Sequence, residues 1–293
     1  MVCRSGSEQG MIEGFAVDLG GTKTAAARIV DGRVEDRVQT PTDRNASFDG
    51  QMESIAMLLR QLGYHGNGRL GVAVAGRVDS DGCWQAVNPN TLTGIDGKPL
   101  RGWMQERYGG IITVRNDAAA ATLAEARLGA GIGADHFAYL TVSTGIGGGI
   151  SLNGRLLESR NGLAGHVGFV SSPYAVRRCG SGRIGTVESV ASGHAIALAG
   201  EVRTAREAFE ADTPQAKAAI NRSAAAIARL CADLTSLFGL DRIAIGGSIG
   251  LAEGYLPQVE HHLRKEPQLF QVNLTPAMLG HDSVLLGALM TAD

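Results

Sequence analysis

The stretch Phe15-Ala16-Val17-Asp18-Leu19-Gly20-Gly21-Thr22-Lys23 decides how the rest of the chain is read. Its apolar run predicts a buried strand, and Gly20-Gly21 turns that strand sharply. Residues 24–30 resume as a second strand and close at Asp31-Gly32, a pair that favours a hairpin. Residues 34–40 alternate as a third strand does. The order is strand, glycine turn, strand, hairpin, strand. Glycine-rich loops of the P-loop and dinucleotide types run from a strand straight into a helix, so this opening belongs to neither.

The same order returns in the second half. Residues 137–142 read as a strand, Ser143-Thr144-Gly145-Ile146-Gly147-Gly148-Gly149 as a glycine turn, 150–152 as a strand and Asn153-Gly154 as a hairpin. A third strand begins at Arg155. Two copies of one unit predict two related halves rather than a solenoid, whose repeats run about 20–50 residues. Helical spacing of Met52, Ile55, Leu58, Leu59 and Leu62 predicts a helix over 48–62. Short apolar runs predict strands at 70–75, ending at Gly76, and at 111–115, ending at Asn116-Asp117. Residues 118–128 and 216–237 are Ala-rich and predict helices. A strand at 242–245 ends in Gly246-Gly247-Ser248, a helix follows from about 251 to 264, and a short apolar helix covers 284–290. Strands alternating with helices make an α/β chain.

Composition narrows the function classes. Lys and Arg total 27 against 29 Asp and Glu, a net charge of -2, which gives no general attraction to nucleic acid or anionic lipid. With 44% hydrophobic and 19% charged residues the chain is too apolar for disorder. Its four cysteines form no Cys-x-x-Cys pair and no disulfide framework, which points to a reducing cytoplasm. Residues 1–12 read as a flexible tail without the apolar core of a signal peptide, Met11 is an alternative start, and no run approaches the roughly 20 apolar residues of a membrane span.

Three glycine clusters, at 20–21, 145–149 and 246–247, each follow an apolar strand directly. Such turns present backbone N–H groups with no side-chain bulk and suit phosphate groups; they also suit plain hairpins. Asp18 at a strand end either caps the turn or faces a Mg²⁺–phosphate group. Asp117 stands where a strand meets a helix. It serves there as an N-cap, as a general base for a hydroxyl nucleophile, or as both. His166 lies in Gly165-His166-Val167-Gly168, where a lone His is more often structural. Glu188 opens a helix, where the dipole favours a carboxylate.

Together, Asp18 to Lys23, Asn116-Asp117, Ser143 to Gly149 and Gly246-Gly247-Ser248 resemble the ROK family of sugar kinases, in the actin, Hsp70 and hexokinase class of ATPases. The likeness runs from about residue 14 to the end. It implies a two-domain actin-like ATPase (ribonuclease H-like) α/β fold with a cleft, the domains being 13–116 with 280–293, and 117–279. Leu163 to His166, the run from Gly246 to Leu256 and the ending from His281 to Ala288 are similar to the branch that acts on N-acetylmannosamine. The resemblance makes Asp117 the base for the sugar 6-hydroxyl. It places Asp18, Gly20, Gly21, Thr22, Lys23, Thr144, Gly145 and Gly147 on the phosphates of ATP with Mg²⁺, and Gly246 and Gly247 at the nucleotide's other end. Gly76, Asn88, Asn116, Asp117, His166 and Glu188 would bind the sugar. A homodimer is implied, with no nucleic-acid or membrane partner. A glucokinase-like activity and a non-catalytic sugar sensor are the alternatives. A repressor of the family would need a helix-turn-helix ahead of Phe15, and fourteen residues are too few for one.

One departure stands out. Relatives carry a structural zinc on a His and three Cys. The corresponding positions here hold Phe169, Cys179, Ser181 and Thr186, so a closed tetrahedral site is not expected. The loop is expected to be held by packing of Phe169, Val170 and Ile184 instead. Because that His also touches sugar in some relatives, Phe169 bears on substrate choice.

Overall fold

The computed structural model describes residues 12–89 and 91–291; the expected tail lies almost wholly outside the described residues. The opening hairpins form as expected: β1 (Gly14–Leu19), β2 (Lys23–Val30) and β3 (Arg33–Pro41). Helix α1 (Phe48–Gln61) starts at Ser47, whose side chain accepts from the Gly50 amide, and buries Met52, Ile55, Leu58 and Leu59. Strand β4 (Arg69–Val74) follows, then the small hairpin β5 (Arg77–Val78) and β6 (Trp84–Gln85), helix α2 (Leu100–Tyr108) and strand β7 (Ile111–Asn116). The first sheet has the order β3-β2-β1-β4-β7.

Helix α3 (Asp117–Leu128) leads to the second copy: β8 (His136–Val142), β9 (Ile146–Leu152) and β10 (Arg155–Leu156). Short helices α4 (Glu188–Ala191), α5 (Gly193–Ala199) and α6 (Ala205–Glu210) precede the long α7 (Pro214–Phe238). That helix has Thr213 as N-cap, Pro214 in its first turn and left-handed Gly239 as C-cap. Strand β11 (Arg242–Gly246), α8 (Gly247–Gly250), α9 (Tyr255–Leu263), β12 (Asn273–Pro276) and α10 (Ser283–Leu289) complete it. The second sheet has the order β10-β9-β8-β11-β12, so the two sheets share one topology: an antiparallel meander, then two parallel strands. The repeat read in the sequence is thus a repeat of whole sheets.

Some expectations shift. The helix expected from about 251 divides into α8 and α9, because Gly254 takes a left-handed φ of 77° between them. The third strand of the second meander lasts only two residues. The helix expected to open at Glu188 is the short α4; helices α2, α5 and α6 and strand β12 are not evident in the apolar pattern.

Each sheet carries its own core. Val17, Leu19, Leu70, Val72 and Val74 pack under α1 in the first sheet; Leu140, Val142, Ile243 and Ile245 pack under α7 in the second. The other face of the first sheet, through Ala16, Ala27 and Ala73, meets Ala120 and Leu123 of α3 and Leu285, Leu286 and Leu289 of α10. Alanine on the strands lets both helices lie close to the sheet. The final helix therefore returns to the first sheet, against β1 and β4. The fully buried carboxylate of Glu125 on α3 ties this junction together, accepting from the amides of Ala130 (2.9 Å), Met278 (3.0 Å) and Leu279 (2.8 Å).

Candidate active site

Strand β1 places Asp18 one residue before its end, paired with Ala25 of β2 on one side and Ala73 of β4 on the other. The chain then turns through Gly20, Gly21 and Thr22. These residues, Asp18 and Lys23 form one wall of a cavity of about 220 Å³. Asp117, Ala118 and Ala121 of α3, Tyr139 and Thr141 of β8, and Val284 of α10 supply the rest. The cavity thus joins the first sheet, the second sheet and both helices of the junction.

Strand β7 hands directly over to α3 at Asp117. Asn116, not Asp117, is the cap: its Oδ1 accepts from the Ala119 amide at 3.1 Å. Its Nδ2 donates to the Gly76 carbonyl at 2.7 Å and to Asp117 Oδ1 at 2.9 Å. The Ala118 amide donates to the same Oδ1 at 2.8 Å. The capping role considered for Asp117 therefore belongs to its neighbour, because Asn116 keeps the extended conformation that a cap needs. Asp117 is held by one oxygen.

Both carboxylates of the cavity are shifted upward. Burial pushes the Asp117 carboxyl up to about 6, against the pull of its hydrogen bonds from Ala118 and Asn116. Burial, then repulsion from Asp117, pushes Asp18 up to about 7, with Lys23 and Arg37 opposing. Both residues are nevertheless only half-buried, so the cavity leaves them open to solvent. Such a pair, one oxygen-rich wall beside a glycine turn and a lysine, suits an anion carried by a cation, with a second carboxylate near neutrality free to take a proton.

The remaining expected residues fall in three places. Gly76 and Asn116 are bonded, and the His166 ring faces the backbone of Gly76, Ala164 and Leu163. Burial pushes the His166 imidazole down, and its Nε2 is buried with no partner among the described residues. A buried ring nitrogen of this kind has the capacity to pair with a ligand hydroxyl. Glu188 sits behind the second glycine turn: its Oε2 accepts from the Ile146 amide at 3.2 Å, and a Cβ on Gly145 would stand 2.9 Å from that oxygen. Burial raises its carboxyl. Asn88 packs against Gly180 so closely that any side chain there would collide with its amide.

Thr144, Gly145, Gly147, Gly246 and Gly247 do not line the cavity. Gly147 lies behind Ala118 and Thr141, and a Cβ on either Gly246 or Gly247 would meet the Tyr139 hydroxyl or Thr141 Oγ1 at 2.7 Å. Ser143 and Ser248 link the last two glycine clusters by hydroxyls 3.1 Å apart. Tyr139, Thr141, Ala118, Ala121 and Val284 are cavity residues that the sequence reading did not single out; inward alternation of Phe137, Tyr139 and Thr141 along β8 was the available signal.

The zinc positions do not fit zinc. Cys179 Sγ lies 3.0 Å from Ser181 Oγ, Phe169 stacks on His166 at 6.1 Å, and Thr186 is buried. Among the described residues no three His, Cys, Asp or Glu side chains gather to hold a metal. Of the three residues expected to pack this loop only Phe169 does so, against His166; Val170 and Ile184 are exposed. Backbone pairing joins its two sides, with Val187 donating to Val170 and Ser172 to Gly185 at 2.9 Å, and Cys179 to Arg183 at 2.8 Å. The chain closes on itself as a narrow hairpin, which leaves apolar side chains on its outside.

Comparison with known proteins agrees with this geometry. The ROK family model matches residues 14–293. The N-acetylmannosamine kinase of Haemophilus influenzae (strain PittGG) is 38% identical over 281 residues, covering 94% of this chain and 93% of its own. That of Citrobacter koseri is 39% identical over 286 residues, covering 95% and 98%. Among solved structures, the ROK hexokinase of Thermus thermophilus is 31% identical with a TM-score of 0.77, covering 94% of this chain and 95% of its own. A ROK family glucokinase of Streptomyces griseus, in complex with glucose and AMPPNP, is 25% identical with a TM-score of 0.78, covering 94% and 97%. The chain belongs to the ROK family, and its fold is the actin-like ATPase fold of those kinases.

Proposed function

We propose that this chain is an ATP-dependent sugar kinase that phosphorylates the 6-hydroxyl of N-acetylmannosamine. The observation that carries the reading is one cavity wall made of Asp18 and the first glycine turn, with Asp117 facing it. Curated relatives of that activity at 38–39% identity over nearly the whole chain support the choice of sugar.

In this reading the amides of Gly21 and Thr22 and the Lys23 ammonium hold the phosphate tail, while the Gly20 amide closes the turn on the Lys23 carbonyl at 3.0 Å. Thr144, Gly145, Gly147, Gly246 and Gly247 receive the rest of the nucleotide as the lobes 13–116 with 280–293, and 117–279, draw together. Mg²⁺ suits a site with one or two carboxylates plus phosphate oxygens, and when bound it neutralises charge on the transferred group. Asp18 is the carboxylate placed to hold it. Asn116, His166 through its orphaned Nε2, Gly76, Asn88 and Glu188 orient the sugar. The 6-hydroxyl oxygen attacks the γ-phosphorus as its proton passes to Asp117, and the bond from phosphorus to the ADP oxygen breaks. Closure excludes water, the competing nucleophile.

The same reading includes a cytoplasmic homodimer, the cytoplasm being supported by reduced cysteines. Cys83, Cys179 and Cys231 are unpaired thiols, and no described helix is long and apolar enough to cross a membrane. A coupled ADP-release assay across hexoses and N-acetylhexosamines tests the reading. N-acetylmannosamine should give the highest kcat/KM. A preference for glucose would make it a glucokinase, and absence of turnover on every sugar would make it a sensor.

A further inference from the structure

The first glycine turn is shaped from outside by residues that no motif includes. Each of its carbonyls is taken. The Gly20 carbonyl accepts from Thr42 Oγ1 at 2.8 Å, the Gly21 carbonyl from Arg44 Nε at 2.7 Å, and the Thr22 carbonyl from the Thr42 amide at 3.0 Å. Arg44 Nη2 also reaches Thr22 Oγ1 at 3.4 Å. Because Thr42 has one hydroxyl hydrogen and gives it to Gly20, the buried Thr24 hydroxyl, 2.9 Å away, must be the donor in their contact. The result is a directed chain from Thr24 through Thr42 to the turn.

The opposite edge of the turn is left open. Among the described residues, the N–H groups of Gly21 and Thr22 have no protein acceptor, and both residues line the cavity. A peptide plane whose carbonyl is fixed on one side aims the N–H that shares that plane to the other. Locking the carbonyls of Gly20 and Gly21 therefore aims the N–H groups of Gly21 and Thr22.

The clamp is itself anchored. The Arg44 carbonyl accepts from the Thr93 amide at 3.1 Å and its hydroxyl at 3.3 Å, and the Asp43 carbonyl accepts from buried Gln51 at 2.6 Å. Thr91 closes the far side of Gly21, where a Cβ would stand 2.6 Å from its methyl group.

We propose that Thr42 and Arg44 are positioning residues for the phosphate tail: they commit the turn's carbonyls outward so that its amides face the cavity before the nucleotide arrives. Arg44 also brings a positive charge to the outer side of the turn, against the Gly21 carbonyl and Thr22 Oγ1. The inference rests on the kinase reading above.

Steady-state kinetics of wild type, Arg44→Met, Arg44→Lys and Thr42→Val, with ATP and N-acetylmannosamine varied separately and a thermal melt for each, tests it. Loss of one fixed donor should raise KM for ATP roughly tenfold in Arg44→Met and Thr42→Val. KM for the sugar should stay within about twofold and the melt nearly unchanged. Arg44→Lys should recover part of the loss, since an ammonium lacks the planar fork that reaches the Gly21 carbonyl and Thr22 together. Unchanged KM for ATP in both variants of an active enzyme overturns the inference and leaves the kinase reading standing. So does a parallel rise of both KM values with a falling melt, which marks a merely structural role. A wild type that turns over no ATP overturns both.

Discussion

Replacing Asp117 by asparagine changes a charge and almost no shape. The asparagine oxygen can still accept from the Ala118 amide and from Asn116 Nδ2, and the helix keeps its cap because the cap is Asn116. The fold should survive. Loss of a general base lowers turnover by roughly 10²–10⁴-fold, or about 3–5 kcal/mol of barrier. Stability should move the other way. Burial raises the Asp117 carboxyl from its ordinary 3.8 to about 6. At about 1.4 kcal/mol per pH unit this means the ionised group destabilises the empty protein by at most about 3 kcal/mol. Contact with cavity water reduces that to about 1–2 kcal/mol. The folded state binds the proton more tightly than the unfolded chain, so the penalty is full above about pH 6, shrinks as pH falls, and is gone below the unfolded value of 3.8. The variant should therefore melt about 2–4 °C above wild type at pH 7.5 and level with it at pH 3.5. Coupled ADP release and paired melts measure both. Full activity refutes the base assignment. A lower melting point at pH 7.5 refutes the electrostatic argument.

Three further outcomes follow from the same geometry. As pH falls, kcat/KM should drop between about pH 7 and 6, where the Asp18–Asp117 pair takes up protons, and the profile should flatten above it; a rate unchanged down to pH 5 contradicts this. Glu125→Gln should destabilise by about 3 kcal/mol or more, because an amide nitrogen would face backbone N–H groups that now reach a carboxylate; a melt within a degree of wild type refutes it. Prolonged chelation followed by excess Mg²⁺ should restore full activity, and mass spectrometry should find far less than one zinc per chain; near one equivalent overturns the reading of the 169–186 loop.

The doubled sheet was legible because its signals are local: an apolar run, a glycine pair, a hairpin pair, then the same again. Asp18, Gly20 to Lys23 and Asp117 line one cavity. What stayed hidden depends on distant contacts. Nothing around Asn116 says that it, rather than Asp117, caps α3, since both types cap well. Tyr139 and Thr141 line the cavity because β8 turns that face toward α3, and Thr42 and Arg44 matter only through a turn some twenty residues earlier. Val170 and Ile184 look like core by type, yet both lie on the solvent side of the hairpin they belong to. The second glycine turn follows its expected strand, but its Gly147 stands against Ala118 and Thr141 and its Gly145 against Glu188.

Diffraction from crystals grown with N-acetylmannosamine and a non-hydrolysable ATP analogue is the most direct measurement. The sugar's 6-oxygen should lie within hydrogen-bonding distance of an Asp117 carboxylate oxygen and in line with the terminal phosphate, itself seated on the Gly21 and Thr22 amides. A terminal phosphate remote from that turn, or a sugar presenting another hydroxyl to Asp117, would contradict the account.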